Sequence, residues 1–144
     1  MIAIDTNVLL RYLLKDNLEQ SEKARRLIQG NTMVLVTDVV LVEAIWTLKG
    51  KKYNLDKAGI TETMNALFSE PNIVFENDQV VWRALNDFIK AEQVVVSGKK
   101  KQADFPDALI LNKAKYCCSE MGDTLSAVYT FDVAAREMNG TQEP

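Results

Sequence analysis

The chain has 144 residues, of which 47% are hydrophobic and 26% charged, a composition typical of a globular domain and not of a disordered protein. Its formal net charge of −3 permits a nucleic-acid partner but does not favour one, because phosphate is contacted by lysine and arginine. It contains no histidine, which excludes serine–histidine triads and HExxH zinc sites. We therefore expect any catalysis to depend on carboxylates, lysine, tyrosine, serine, threonine or a metal ion.

Apolar patterning predicts that short strands alternate with helices along one domain, residues 1–144. The predicted strands cover residues 1–4, 33–36, 73–75 and 127–130. The predicted helices cover residues 6–14, 18–29, 38–48, 55–68, 78–91 and 105–118, with a final short helix from Val133. The polar, lysine-rich segment 97–103 is predicted to be a loop. This alternation indicates an α/β fold with a parallel sheet covered on both faces, because parallel strands need crossover connections.

The sequence carries no feature of a membrane-spanning or secreted protein. No window of 18 apolar residues is present, and Asp5 interrupts the apolar start, where we find neither a basic segment nor a cleavage site. Cys117 and Cys118 are adjacent, which suits neither a disulfide framework nor a zinc site and favours two small apolar residues on a helix. We expect a cytoplasmic protein.

Basic residues form two clusters. One is Lys49, Lys51 and Lys52 beside Tyr53, and the other is the run 99–101, which is three consecutive lysines. Each cluster suits either a solvated surface or a phosphate-binding patch, and the sequence alone does not decide between them.

Two aspartates closely follow the ends of predicted strands. Asp5 comes after the strand at 1–4, and Asp132 comes after the strand at 127–130. In open parallel sheets, ligands bind outside the carboxyl ends of the strands, so both residues are predicted at the ligand-binding edge. Either could instead cap the helix that follows it.

Glu43 is the one polar side chain in the apolar run 39–46. A helix that is apolar on every side is predicted to be largely buried, and an isolated buried carboxylate is very costly without a partner. That partner is predicted to be a metal ion, with pairing to lysine or arginine, or an exposed strip of the helix, as the alternatives.

A further pair of aspartates lies where the helix at 105–118 begins. Asp104 is expected to be its N-cap, with Pro106 in the first turn, where the missing N–H costs nothing. Asp107 then occupies the third helical position, which completes a capping box with aspartate in place of glutamate.

Carboxylates gathered at one edge of a sheet require a counter-ion. Two unit charges about 4 Å apart repel by roughly 4 kcal/mol at an effective dielectric constant near 20. Hard divalent cations prefer oxygen ligands, and a bound cation of this kind supports hydrolysis of phosphodiester bonds. We expect the acids to hold a hard divalent cation such as Mg²⁺.

The segments IAIDTNVL (2–9), DFPDALI (104–110) and TFD (130–132), together with Glu43, resemble the four acidic motifs of PIN-domain nucleases. The likeness covers nearly the whole chain and is closest to the VapC-like toxins of prokaryotic toxin–antitoxin pairs. It implies a three-layer α/β/α fold with a central, mainly parallel, four- or five-stranded sheet. The polar residues 139–144 make the fifth strand doubtful.

The resemblance also implies a Mg²⁺- or Mn²⁺-dependent endoribonuclease that forms a homodimer and is inhibited by a cognate antitoxin. It implies Asp5, Glu43 and Asp107 as the main metal-site acids and Asp132 as a more variable fourth, with Asp104 left as a cap or a further ligand. The implied supporting residues are Thr6, Asn7 and Thr130.

Other functions fit the residues less well. A haloacid-dehalogenase-like phosphatase needs a second aspartate two residues after the first, where this chain has Asn7. The Gly98-Lys99-Lys100 tripeptide lacks the spacing of a phosphate-binding loop. A catalytically silent RNA- or protein-binding module remains the alternative, and only an activity assay separates it from a nuclease.

Overall fold

The computed structural model describes residues 1–144 and contains two compact units, Met1–Asp78 and Gln79–Pro144. Both units combine helices with short strands, which confirms the α/β class. None of the helices is long and apolar enough to cross a membrane.

The N-terminal unit contains a three-stranded parallel sheet and four helices. The strands are β1 (Ile2–Ala3), β2 (Val34–Val36) and β3 (Ile73–Phe75), hydrogen-bonded in that order. The helices are α1 (Thr6–Leu14), α2 (Leu18–Ile28), α3 (Asp38–Lys49) and α4 (Lys57–Ser69). The register pairs Ile2 with Val34 and Val36 with Phe75, so the carboxyl ends of the strands share one edge.

The helices of this unit begin at side chains that accept backbone N–H groups. These N-caps are Asp5, Asn17, Thr37 and Asp56. Such caps satisfy otherwise unpaired amides of the first turn and typically stabilise a helix by about 1 kcal/mol. The core consists of fully buried apolar residues, among them Leu9, Ile28, Leu41, Ile45, Ile60 and Met64.

The C-terminal unit contains two helices, two pairs of strands and one 3₁₀ turn. Its helices are α5 (Asp78–Lys90, which starts at the end of the first unit) and α6 (Phe105–Glu120). Its strands are β4 (Val94–Val96), β5 (Lys99–Lys101), β6 (Val128–Tyr129) and β7 (Thr141–Gln142). Phe88 and Phe105 pack edge to face in its core, with ring centroids 6.2 Å apart.

The predicted loop at 97–103 is wrong, because part of it forms an antiparallel hairpin between β4 and β5. Ser97 and Gly98 both have positive φ angles, 51° and 77°, as a tight two-residue hairpin turn of the primed type requires. Three valines precede the turn, and their high strand propensity outweighs the polarity of the lysines that follow.

The segment after Asp132 also differs from the prediction. In place of a helix from Val133, the structure has a single 3₁₀ turn, Ala135–Glu137. The polar segment 139–144 does contribute a strand, since β7 pairs in parallel with β6. This strand does not extend the central sheet, because β6 and β7 form a separate two-stranded sheet, and the parallel sheet of β1, β2 and β3 has three strands where four or five were expected.

Candidate active site

Asp5 lies directly after β1 and the buried Ile4, at the carboxyl edge of the N-terminal sheet. Its Oδ1 accepts the backbone N–H of Val8 at 2.9 Å, so it is the N-cap of α1. The capping alternative is therefore confirmed. Its Oδ2 makes no hydrogen bond, and the side chain is exposed, so one oxygen is available to a ligand.

Thr6 connects Asp5 to the acid on α3. Its hydroxyl donates a hydrogen bond of 2.5 Å to Oε2 of Glu43, a residue 37 positions further along the chain. A hydrogen bond to a carboxylate is short and roughly twice as strong as one between neutral groups. The contact fixes the orientation of the Glu43 carboxylate next to the residue that follows Asp5.

The predicted burial of Glu43 is wrong, because its side chain is exposed. The helix α3 buries one apolar face, which includes Leu41 and Ile45, and exposes a second apolar face around Glu43. On this second face, Val39 is 66% exposed and Trp46 is 60% exposed. Two apolar faces leave no polar stripe in the sequence, so periodicity could not identify the outer one.

Neither Asp5 nor Glu43 is neutralised by a basic side chain. Arg11, in the last turn of α1, contacts Asp16 at 2.7 Å, and Lys23, in the middle of α2, contacts Glu19 at 2.6 Å. The hydrogen bond from Arg11 lowers the pKa of Asp16 below its usual range. These cations therefore pair with other acids and not with the two candidate ligands.

In the C-terminal unit, Asp104 and Asp107 form the predicted capping box at the start of α6. The backbone N–H of Asp104 donates to Oδ2 of Asp107 at 2.8 Å, and the N–H of Phe105 donates to Oδ1 of Asp104 at 2.7 Å. Pro106 lies in the first turn as expected. Asp104 is thus a cap, and Asp107 is half-buried with its carboxylate oriented by the backbone.

Asp132 is held by the backbone as well. Its Oδ1 accepts the N–H groups of Ala134 and Ala135 at 2.8 and 3.1 Å, and its own N–H donates to Oγ1 of Thr130 at 3.0 Å. Oδ2 of Asp132 makes no hydrogen bond, and the side chain is exposed. Thr130 itself is fixed by β7, because its N–H donates to the carbonyl of Gln142 at 2.9 Å.

A small cavity of about 100 Å³ lies between the start of α6 and the end of β6, since Asp107 and Thr130 both contribute to its wall. The structure therefore brings the site residues together in two sets. One set is Asp5, Thr6 and Glu43, and the other is Asp107, Thr130 and Asp132. Within either unit alone, no three acidic or cysteine side chains are close enough to enclose a metal ion.

Sequence reasoning missed a groove between α1 and α2 that opens beside Asp5. It has a volume of about 480 Å³ and joins Asp5 and Asn7 to the apolar residues Val8, Ala24 and Leu27. Polar residues at its rim come from the turn of α2 that faces α1. The helical pattern of each segment does not reveal that the two helices pack together, so the groove could not be predicted from the sequence.

Residues 2–139 match the model of the PIN domain. The chain belongs to the PIN domain family. The match runs through both compact units. PIN domains have a three-layer α/β/α fold of the nuclease type and generally depend on divalent metal ions. No curated protein shows a significant match to the chain.

Proposed function

We propose that this PIN-domain protein is an endoribonuclease that hydrolyses RNA with Mg²⁺ or Mn²⁺, and that it acts in the cytoplasm. The observation that carries the proposal is the hydrogen bond from Thr6 to Glu43, which holds a carboxylate beside the residue that follows Asp5, with neither acid paired to a basic side chain. Asp5, Glu43, Asp107 and Asp132 are the proposed metal ligands, and Thr6, Asn7 and Thr130 support them.

The donor set fits a hard divalent cation. All four proposed ligands are carboxylates, and the chain has no histidine to favour zinc. A divalent ion bound there would supply positive charge to stabilise the reacting phosphate. The protein supplies oriented oxygens, because Asp5, Asp107 and Asp132 each accept at least one backbone N–H and Glu43 accepts the hydroxyl of Thr6.

The test is cleavage of labelled RNA by wild type and by Asp5→Asn and Asp107→Asn. Asparagine is as good an N-cap as aspartate and its carbonyl can accept the same N–H, so these variants remove charge while keeping the helix starts. We expect each to lose on the order of 100-fold or more of the rate, since losing a ligand exceeds the loss of an outer-shell contact. EDTA should abolish cleavage by wild type, and Mg²⁺ or Mn²⁺ should restore it.

Asp56→Asn is the matched control. Asp56 caps α4 through Gly59, at 2.8 Å, and belongs to neither set of site residues, so its variant should cut RNA as wild type does. Equal cleavage by all the variants, or no cleavage of any tRNA, rRNA or mRNA by wild type, would refute the nuclease. RNA binding without cleavage would instead support the silent binding module.

We also propose that the protein is the toxin of a toxin–antitoxin pair and a homodimer, as are the proteins that it resembles. The exposed apolar side chains of Val39 and Trp46 beside Glu43 support a protein partner on this face of α3, because such patches commonly mark interaction sites. Expression in a bacterial host should arrest growth, Asp5→Asn should not, and the product of the adjacent gene should relieve the arrest. Light scattering should give twice the chain mass of 16.2 kDa.

A further inference from the structure

The β4–β5 hairpin presents three lysines that the proposed metal site does not use. Its register pairs Val94 with Lys101, Val95 with Lys100 and Val96 with Lys99. Side chains alternate between the two faces, so Lys99 and Lys101 share a face with two half-buried valines, and Lys100 lies on the other face with Val95. All three lysines are exposed, and Val95 is 70% exposed.

These lysines are not neutralised. Residues 93–103 contain no acidic residue, and none of the three lysines forms a salt bridge or a side-chain hydrogen bond. The second basic cluster differs, because Lys52 lies over the ring of Tyr53, 5.1 Å from its centroid. In a chain of net charge −3, the hairpin is therefore a local concentration of unpaired positive charge.

The hairpin also lies close to the candidate site along the chain. Lys101 is three residues before Asp104, whose backbone N–H binds the carboxylate of Asp107. Three residues span at most about 11 Å, so the end of β5 and the start of α6 are separated by no more than a few nucleotides of RNA. A strand cut at Asp107 would pass within reach of the lysines.

We propose that the β4–β5 hairpin binds the phosphate backbone of single-stranded RNA beside the cleavage site. This inference rests on the proposed function, which makes RNA the substrate. Lysine contacts phosphate as a point charge with little geometric demand, so the hairpin adds affinity and positions the strand without selecting its sequence.

A structural explanation competes with this one. Lysines on exposed strands prevent edge-to-edge pairing with other chains, and both strands of a two-stranded hairpin are edges. The two explanations predict different consequences when the lysines are neutralised: weaker, less salt-sensitive RNA binding in one case, and self-association in the other.

The experiment measures binding of a fluorescein-labelled single-stranded RNA by anisotropy in EDTA, between 50 and 200 mM KCl. The test variant combines Lys99→Gln, Lys100→Gln and Lys101→Gln. The matched control makes the same three substitutions in the other cluster, residues 49, 51 and 52. For single strands, the slope of log affinity against log salt changes by about 0.7 per phosphate contact. Loss of three contacts should reduce its magnitude by about 2, so over this fourfold range wild type should lose about 20-fold more affinity than the test variant.

The control variant should keep the wild-type slope, and a variant with arginine at 99–101 should keep it as well. If the triple variant does not fold, Lys100→Gln alone should reduce the slope by about 0.7. The proposal is overturned if the slope for the test variant is unchanged, or if that variant self-associates and still binds RNA as wild type does. It is also overturned if the control variant loses as much affinity as the test variant, or if wild type binds poly-glutamate as tightly as RNA. Because binding is measured without a metal ion, failure of the hairpin and failure of cleavage are separate results.

Discussion

Replacing Thr6 by valine removes one oxygen from the N-terminal part of the site and changes little else. Valine has nearly the shape of threonine, so the variant keeps the packing but loses the hydroxyl that donates 2.5 Å to Oε2 of Glu43. The start of α1 is unaffected, because the cap is the bond from Val8 to Asp5. The substitution therefore isolates the orientation of the Glu43 carboxylate.

The magnitude follows from the character of this bond. A hydrogen bond to a charged group contributes about 1.5–3 kcal/mol, and exposure of Glu43 places this one at the low end or below it. We expect a loss of about 1 kcal/mol of unfolding free energy, which is a fall of roughly 3 °C in Tm for a chain of this size. Loss of an outer-shell partner typically costs 10–100-fold in metal affinity or activity, and we expect Mn²⁺ affinity to fall by about that factor.

The assay combines calorimetric titration with Mn²⁺, RNA cleavage and thermal unfolding. Thr6→Ser is the matched control, because serine keeps the hydroxyl and should bind Mn²⁺ and cleave RNA within a few-fold of wild type. If Thr6→Val binds the ion and cuts RNA as wild type does, the hydrogen bond does not orient a ligand. If Thr6→Ser is impaired as severely as Thr6→Val, the loss comes from the methyl group and the reasoning also fails.

Three further predictions concern stability. Burial and the hydrogen bond to Glu70 raise the pKa of Tyr12 to about 12, so the native state favours the neutral phenol. The resulting stability is present below pH 10 and is lost as the pH rises to 12. One of the four tyrosines should titrate near pH 12 by absorbance at 295 nm, and a Tyr12→Phe variant that keeps this late step would contradict the assignment. Asp104→Ala should lower the unfolding free energy by about 1 kcal/mol, and Asp104→Asn should not, as judged by thermal melts. Leu41→Ala should cost about 2–5 kcal/mol in urea unfolding, because Leu41 is fully buried, and a cost below 1 kcal/mol would show that the site collapses freely.

Helix and strand positions could largely be predicted from the sequence. The helix at 6–14 and the strand at 73–75 were predicted with the observed bounds, because a polar cap or a proline–asparagine turn marks each start. The parallel pairing of β1 with β2 and of β2 with β3 is confirmed, and it was predictable because helices long enough to cross over separate these strands along the chain.

Other features depend on contacts that local patterns do not encode. The sequence of α3 is apolar on both faces, so it could not reveal that Glu43 is exposed. The bond between Thr6 and Glu43 joins residues 37 positions apart, and it depends on how α3 packs against α1. The capping box of Asp104 and Asp107 is local, and it was predicted correctly. The meeting of all four acids around one ion stays a prediction.

Backbone N–H groups donate hydrogen bonds to the carboxylates of Asp5, Asp107 and Asp132. These bonds affect how the protein would respond to a change in metal concentration. In zinc fingers the ion organises its own ligands, so chelation unfolds the domain. Here backbone N–H groups orient the carboxylates without a metal ion, so the apoprotein should stay folded and be ready to bind one. Added Mg²⁺ should raise Tm only by mass action, in proportion to the logarithm of its concentration, and catalytic competence should come and go without refolding.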